Sequence, residues 1–180
     1  MNTKQTAARK STRQSATAKA QVKKDELIAG LIETRRKILD LASALSTFEQ
    51  DQVFLGVWSI KDLLAHLMGW DATNRKAVKA IRIGKLPEFY AYMDRDWQTY
   101  NARLVLKHKH GGLAELIPAT RISHRKLMDS LQAIPAGEFE QDKGVRFKGY
   151  KVTIARLLQA ELKDEKVHYA QIEKFRSKGK

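Results

Sequence analysis

Cysteine is absent from the 180-residue chain, which excludes disulfide bonds, thiolate chemistry and cysteine-based zinc sites. Long apolar runs are also absent, since none approaches the ~18 residues of a membrane-spanning helix. The first residues are polar and basic, with no apolar segment before a cleavage site, so we expect no secretory signal. Glycine-rich phosphate loops and nucleophile elbows are missing as well. These absences predict a cytoplasmic protein that makes no membrane contact, and the length suits a single domain with a sizeable core.

Acidic residues are missing from the first 24 residues. The formal net charge of the chain is +14, and half of it comes from seven lysine and arginine residues in this segment. The segment has almost no large apolar side chains, so it cannot bury enough surface to offset its ordering entropy. We therefore expect residues 1–24 to form a disordered basic tail, although its many alanines leave partial helix formation open. Such a tail gives weak, salt-dependent and sequence-independent affinity for nucleic acids.

Part of this tail, residues 3–12, resembles the N-terminal tail of the third core histone with one extra alanine. The resemblance covers about ten low-complexity residues, and no histone fold follows. Coincidence among basic tails, an appended peptide and functional mimicry all remain open as explanations.

Helical spacing of apolar residues predicts four long helices, over about residues 25–46, 59–84, 113–133 and 153–175. A shorter helix or two is expected within 89–108, a connection over 47–57, and a short hairpin or irregular loop over 138–151. We therefore expect residues 25–176 to form an all-α, up-and-down four-helix bundle. The extra helical segment would lie in the crossover between helices 2 and 3.

The second predicted helix combines a clear start with polar residues at the edge of its apolar face. Ser59 suits the N-cap position, and Asp62 follows three residues later, as in a capping box. His66 and Trp70 fall on the border of the apolar face, while Asp71 falls inside it. A histidine on such a flank is often only a partly buried residue with a hydrogen-bond partner. A buried acid is costly unless something pairs with it.

The last predicted helix has an apolar stripe that is interrupted by Glu161, Asp164 and His168 and then resumes. Asp164 and His168 are four residues apart, so their side chains project from one side of the helix. The pattern indicates a polar pocket; the alternative is a buried salt bridge to an arginine such as Arg75 or Arg103.

The bundle topology places these residues near those of the second helix. We expect His66, Asp164 and His168 to converge in the bundle interior, with Glu161 one turn further along. If these side chains hold no metal ion, Asp164 or Glu161 would act as a general base, because burial and a neighbouring acid raise its pKa. His124, beside two basic residues, is expected on the surface. The residues expected to line the pocket are Trp58, His66, Trp70, Tyr100, Glu161, Asp164 and His168.

Residues 58–71 resemble the second-helix signature of the DinB-like superfamily: Trp-Ser, then an aspartate, a histidine, a tryptophan and an acid at fixed spacing. Residues 100–103, 122–127 and 168–172 resemble the ClbS/DfsB branch of that superfamily. The resemblance covers about residues 24–176, and its second-helix motif is the most specific part.

The resemblance implies a four-helix bundle that in many members binds a divalent metal. One histidine of the second helix and two of the last helix, four residues apart, hold the ion. On this chain the first and last positions fall on His66 and His168, while the middle position is Asp164 instead of histidine. Two imidazoles and one carboxylate still form an open metal triad. The implied cofactor is zinc, nickel or manganese, with a metal-free protein as the alternative.

Relatives implied by the resemblance include thiol-dependent transferases, isomerases and a metal-free hydrolase that opens a cyclopropane ring in a toxin. We therefore expect a small-molecule hydrolase or transferase, or a ligand-binding resistance protein, whose partner is a small-molecule substrate or toxin. Whether it is an enzyme, and whether it forms a homodimer, is left open. The alternative function is binding of nucleic acid or another acidic partner through the basic tail.

Overall fold

The computed structural model of the protein describes the backbone of residues 3–93 and 96–178, and the side chains between residues 16 and 177 within those ranges. Four long helices dominate: α1 (Thr3–Ser43), α3 (Ile60–Arg82), α5 (Leu113–Gln132) and α7 (Ile154–Lys178). Shorter elements are α2 (Thr47–Asp51), a 3₁₀ helix (Glu88–Tyr92), α4 (Trp97–His108) and α6 (Ala136–Phe139). A small antiparallel hairpin joins β1 (Arg146–Phe147) to β2 (Tyr150–Lys151).

The predicted all-α bundle is confirmed. Helix α3 packs against α5 and α4, and α1 packs against α7. The 3₁₀ helix and α4 form the extra segment between the second and third long helices, as expected. The second long helix begins directly after Ser59, whose backbone N–H and hydroxyl both donate to Asp62 Oδ2, at 2.9 and 2.7 Å. Among the described helices, none is long and apolar enough to cross a membrane.

The first helix differs from its prediction, because it begins at Thr3 and not at residue 25. Residues 3–29 contain neither proline nor glycine and are rich in alanine, lysine, arginine and glutamine, which favour helix propagation. Lys24 already packs on the bundle: its Nζ donates to the carbonyl oxygens of Gln132 and Ile134, at 2.8 and 2.6 Å. The division of the chain at residue 24 into tail and bundle stays a prediction, since residues 1–2 and the side chains of 3–15 lie outside the described part.

A buried polar layer divides the apolar core into two clusters. On α1, Leu31 belongs to one cluster and Ile38 to the other, and Arg35 lies between them with only 1% of its surface exposed. Its guanidinium binds Asp71 of α3 through Nη1 and Nη2, at 3.0 and 3.1 Å. It binds Glu165 of α7 through Nε and Nη2, at 3.2 and 2.7 Å. One side chain therefore ties three of the long helices together.

This network differs from the buried salt bridge that was the alternative to a polar pocket. Neither Arg75 nor Arg103 is the buried arginine; the first helix supplies it as Arg35. Glu165, which the sequence pattern did not single out, is its second acidic partner and is fully buried. Asp71 was expected on the apolar face, and it lies there with both carboxylate oxygens paired.

A close approach of α3 and α4 shapes the space beside this layer. A Cβ at Gly69 would lie 2.6 Å from the Cβ of Leu104, closer than real carbon contacts allow. Glycine at this position therefore lets α4 pack directly on α3. The approach brings Trp97 and Asn101 of α4 to the side of the bundle where α3 and α7 carry their polar residues.

Candidate functional site

A cavity of about 310 Å³ opens between α3, the 3₁₀ helix, α4 and α7. All three tryptophans of the chain line it, so its wall is strongly aromatic. The residues that line it are Trp58, His66, Trp70, Asn74, Phe89, Tyr90, Met93, Trp97, Asn101, Leu157, Ala160, Glu161, Asp164 and His168.

Six of the seven residues that the sequence placed in the pocket line this cavity. The exception is Tyr100, which lies behind the wall: its ring stacks on Trp97 at 5.9 Å between centroids. Its hydroxyl lies 3.1 Å from Thr73 Oγ1, which turns it away from the cavity. Tyr100 therefore supports the aromatic wall, and its expected role in ligand binding stays untested.

Trp70 is held in place by a residue that sequence reasoning missed. Its indole Nε1 donates to Asn101 Oδ1 at 3.2 Å, so the ring has a fixed orientation. Asn74 was missed as well, although it follows His66 and Trp70 at intervals of four residues, which places all three on one side of α3. That four-residue spacing is the signal from which Asn74 could have been predicted as a cavity residue.

His66 is a buried, neutral imidazole. Its ring lies 4.8 Å from that of Trp58 and 5.4 Å from that of His168. Burial and, to a smaller extent, His168 lower the pKa of His66 to about 3, while Asp164 opposes the change. At neutral pH the ring therefore offers a nitrogen lone pair, and its Nδ1 has no hydrogen-bond partner in the described part of the chain.

The structure brings His66, Asp164 and His168 together, with one donor atom from each within 4.8 Å of the others. The Nδ1 of His168 lies 2.8 Å from Gln171 Oε1. Because an amide oxygen only accepts, Nδ1 carries a proton, and this contact fixes the ring as an outer-shell partner does at metal sites. The Nε2 atom then faces Asp164 Oδ2 at 3.3 Å.

Asp164 lies at the cavity mouth, where 58% of its side chain is exposed. Burial raises its pKa, but His168 and then His66 lower it overall, so the carboxylate is ionised. The expected rise in the pKa of this residue is therefore wrong, because the neighbouring imidazoles outweigh its partial burial. Its Oδ2 atom faces His168 Nε2, which has no hydrogen-bond partner among the described residues.

Glu161 is the acid whose pKa is raised. Burial and the charge of Glu165 raise its pKa to about 8, while Asn74 and Arg35 oppose the rise. The carboxyl group is therefore protonated at neutral pH and can donate a proton.

Several buried polar atoms of the cavity lack hydrogen-bond partners among the described residues. They are His66 Nδ1, His168 Nε2 and both amide atoms of Asn74. Leaving a buried polar group unpaired costs about 1–3 kcal/mol. A polar ligand or water in the cavity would satisfy these atoms, so the cavity suits a molecule with polar groups on an aromatic or apolar frame.

Comparison with known proteins supports the fold alone. No family model and no curated protein matches the chain. The fold is similar to the crystal structure of the colibactin self-resistance protein ClbS in complex with a double-stranded DNA. The TM-score is 0.70, and the sequences are 13% identical over 85% of this chain and 94% of that chain. An uncharacterised protein from Clostridium difficile 630 gives a TM-score of 0.67 and 12% identity over 86% and 95%. The chain therefore has a ClbS-like helical fold.

The raised pKa of Glu161 predicts that the folded protein becomes less stable as the pH rises. Between the ordinary pKa of 4.5 and about 8, the folded protein keeps a proton that the unfolded chain releases. Stability contributed by this proton is therefore lost as the pH rises through that window. We expect Glu161→Gln to melt about 5 °C or more above the wild type at pH 9, and at nearly the same temperature at pH 4.

The matched control is Glu26→Gln, which removes an exposed acid from α1. Its melting curves should follow those of the wild type at every pH. Thermal unfolding by circular dichroism between pH 4 and pH 9 measures both differences. A constant offset between Glu161→Gln and the wild type across this range would contradict a raised pKa.

Proposed function

We propose that the chain is a DinB-like, ClbS/DfsB-type protein that binds a small organic molecule in this cavity and acts on it as a hydrolase or transferase. The observation that carries the proposal is a cavity that places the buried Glu161 with two imidazoles and an aromatic wall. Burial and neighbouring charge raise the pKa of Glu161, as expected of a group with an acid–base role. The resemblance over residues 24–176 and the ClbS-like fold support the assignment.

Each group of cavity residues has a separate role in the proposed reaction. The tryptophan rings stack on the apolar part of the ligand, and the Asn74 amide pairs with one of its polar groups. In a hydrolysis without a bound ion, the ionised Asp164 takes a proton from the attacking water, and Glu161 gives its proton to the atom that leaves. The bond to the leaving atom breaks as the bond to the water oxygen forms.

We also propose that His66, Asp164 and His168 hold a divalent cation such as zinc, nickel or manganese. The donor set fits such an ion, since it has two imidazole nitrogens without partners and one ionised carboxylate. When bound, the ion would polarise a substrate oxygen and lower the pKa of a bound water. His168 is already oriented by Gln171, and Asp164 reaches the ion site from the cavity mouth.

The first prediction of this proposal concerns ligand binding. Since all three tryptophans line the cavity, intrinsic fluorescence reports on it directly. We expect benzamide, which has a ring for the aromatic wall and an amide for Asn74 and Glu161, to change this fluorescence saturably, with a Kd of about 1 mM or below. Ala160 lies exposed at the mouth, so Ala160→Phe should block binding without disturbing the core.

Gln159→Phe is the matched control, because it adds the same ring to the next exposed residue, which does not line this cavity. It should bind benzamide as the wild type does. Equal responses from the two variants would place the ligand elsewhere and refute the proposed pocket.

The second prediction concerns the metal. Protein purified without chelator or affinity-tag metal should contain about one equivalent of a transition metal, and added zinc, nickel or manganese should raise the melting temperature of metal-stripped protein. His168→Gln should abolish both effects. His110→Gln, which alters an exposed histidine outside the cavity, should not. A content below about 0.1 equivalent with no thermal shift would leave only the acid–base mechanism.

A second candidate function is binding of double-stranded DNA. The ClbS structure that resembles this chain is a complex with such a DNA. The net charge of +14 and the basic N-terminal segment favour the same partner here. In that case α1 would supply much of the electrostatic attraction.

Electrophoretic mobility shift with a 20-base-pair duplex tests this candidate. Deletion of residues 1–22 removes five basic residues but keeps Lys23 and Lys24, which contact the bundle. We expect the truncated protein to bind more weakly, with a salt dependence shallower by up to about four in the log–log slope. Unchanged affinity and slope would show that the segment contributes nothing to DNA binding.

A further inference from the structure

A second cavity, of about 470 Å³, lies between α1 and α5 and shares no lining residue with the first. Ile32 and Leu39 of α1 and Met128 of α5 supply its apolar part. Arg121 and Arg125, one turn apart on α5, lie along it, and His124 also lines it. Four arginines and two aspartates line the cavity in all, so it combines apolar walls with an excess of positive charge.

His124 is the most informative residue of this cavity. The sequence placed it on the surface, but only 7% of it is exposed, so that expectation is wrong. It follows Thr120 and precedes Leu127, both buried, so it lies on the inner side of α5. Its Nδ1 lies 3.6 Å from Asp71 Oδ1, too far for a hydrogen bond.

Both ring nitrogens of His124 lack a hydrogen-bond partner within the described ranges. Asp71 cannot come closer, because Arg35 holds both of its carboxylate oxygens. The Nε2 atom is on the other side of the ring from Asp71. Nε2 therefore has no partner either, and leaving such a buried group unpaired is costly.

The charges along the cavity favour an anionic acceptor. Arg36 is paired with Glu33 and Asp40 on its own helix. Arg121 and Arg125 form no ion pair with any residue that the structure describes, and both are exposed. Two guanidinium groups are thus available one turn apart on the helix that carries the buried imidazole.

We propose that this cavity binds a small organic anion, with its carboxylate or phosphate group at His124, Arg121 and Arg125. With the anion bound, the ring carries a proton on each nitrogen: Nδ1–H faces Asp71, and Nε2–H donates to the oxyanion, which also accepts from the two guanidinium groups. The apolar body of the ligand lies against Ile32 and Met128. The site is independent of the proposed hydrolase or transferase activity, because it lies in a separate cavity.

Phenyl phosphate is the probe, since it joins an apolar ring to an oxyanion, and phenol is its uncharged counterpart. The chain has five histidines, whose Cε1–Hε1 signals can be followed by NMR in the full-length protein. We expect phenyl phosphate to shift the His124 signal saturably and to leave that of the exposed His110 unchanged. Phenol at the same concentration should shift neither signal.

Substitutions on the exposed side of α5 make the test specific without disturbing the core. Arg121→Gln and Arg125→Gln should each weaken phenyl phosphate binding about tenfold, as expected for loss of one charge-assisted hydrogen bond. Lys126→Gln removes the same charge from the neighbouring exposed position, which does not line the cavity. It should leave the affinity within about twofold of the wild type.

Two results would overturn the inference. One is an equal loss of affinity in Lys126→Gln and Arg125→Gln, which would indicate only general attraction to a basic surface. The other is loss of phenyl phosphate binding in Ala160→Phe together with a shift of the His66 signal, which would place the anion in the first cavity. If benzamide binding fails while the His124 response persists, the proposed function is wrong and this site stands.

Discussion

The buried guanidinium of Arg35 is the interaction on which the arrangement of this bundle depends. It fixes the relative positions of α1, α3 and α7 by binding one carboxylate from each of the other two helices. Removing one partner of such a network typically costs about 3–5 kcal/mol, because a charge is left buried and unpaired. Asp71 directly follows Trp70, and Glu165 directly follows Asp164, so the same contacts set the positions of two cavity residues.

The network also sets the electrostatics on both of its sides. Toward the first cavity, the charge of Glu165 raises the pKa of Glu161, and Arg35 limits the rise. Toward the second, Arg35 occupies both oxygens of Asp71 and so leaves His124 without a full hydrogen bond. Burial alone would raise the pKa of Asp71, but Arg35 and His124 keep it low, so the carboxylate stays ionised. Both cavities therefore border one layer of charge.

Much of this architecture could be predicted from the sequence, because it depends on local spacing. Apolar periodicity located three of the four long helices within a few residues. The four-residue interval between Asp164 and His168, together with the bundle topology, predicted that both lie near His66. The partner of Asp71 could not be predicted, since pairing between helices is not visible in one chain's periodicity. A signal for Arg35 did exist: it lies four residues after Leu31 and three before Ile38, on the buried side of α1. The burial of His124 was not predicted either, because the two basic residues beside it suggested an exposed position.

Asp164 is the point at which the chain departs from the histidine that the resemblance implies, and its position gives the departure a physical consequence. His66 and His168 are buried, whereas Asp164 lies at the mouth with more than half of its side chain in water. A carboxylate can remain ionised there at little cost, whereas a buried carboxylate needs a partner such as the one that Arg35 provides for Asp71. With two neutral imidazoles and one carboxylate, a bound divalent ion would keep a net charge of about +1 instead of +2 and would polarise a substrate less strongly. Proton donation by Glu161 then gains importance, because the leaving atom receives less help from the ion.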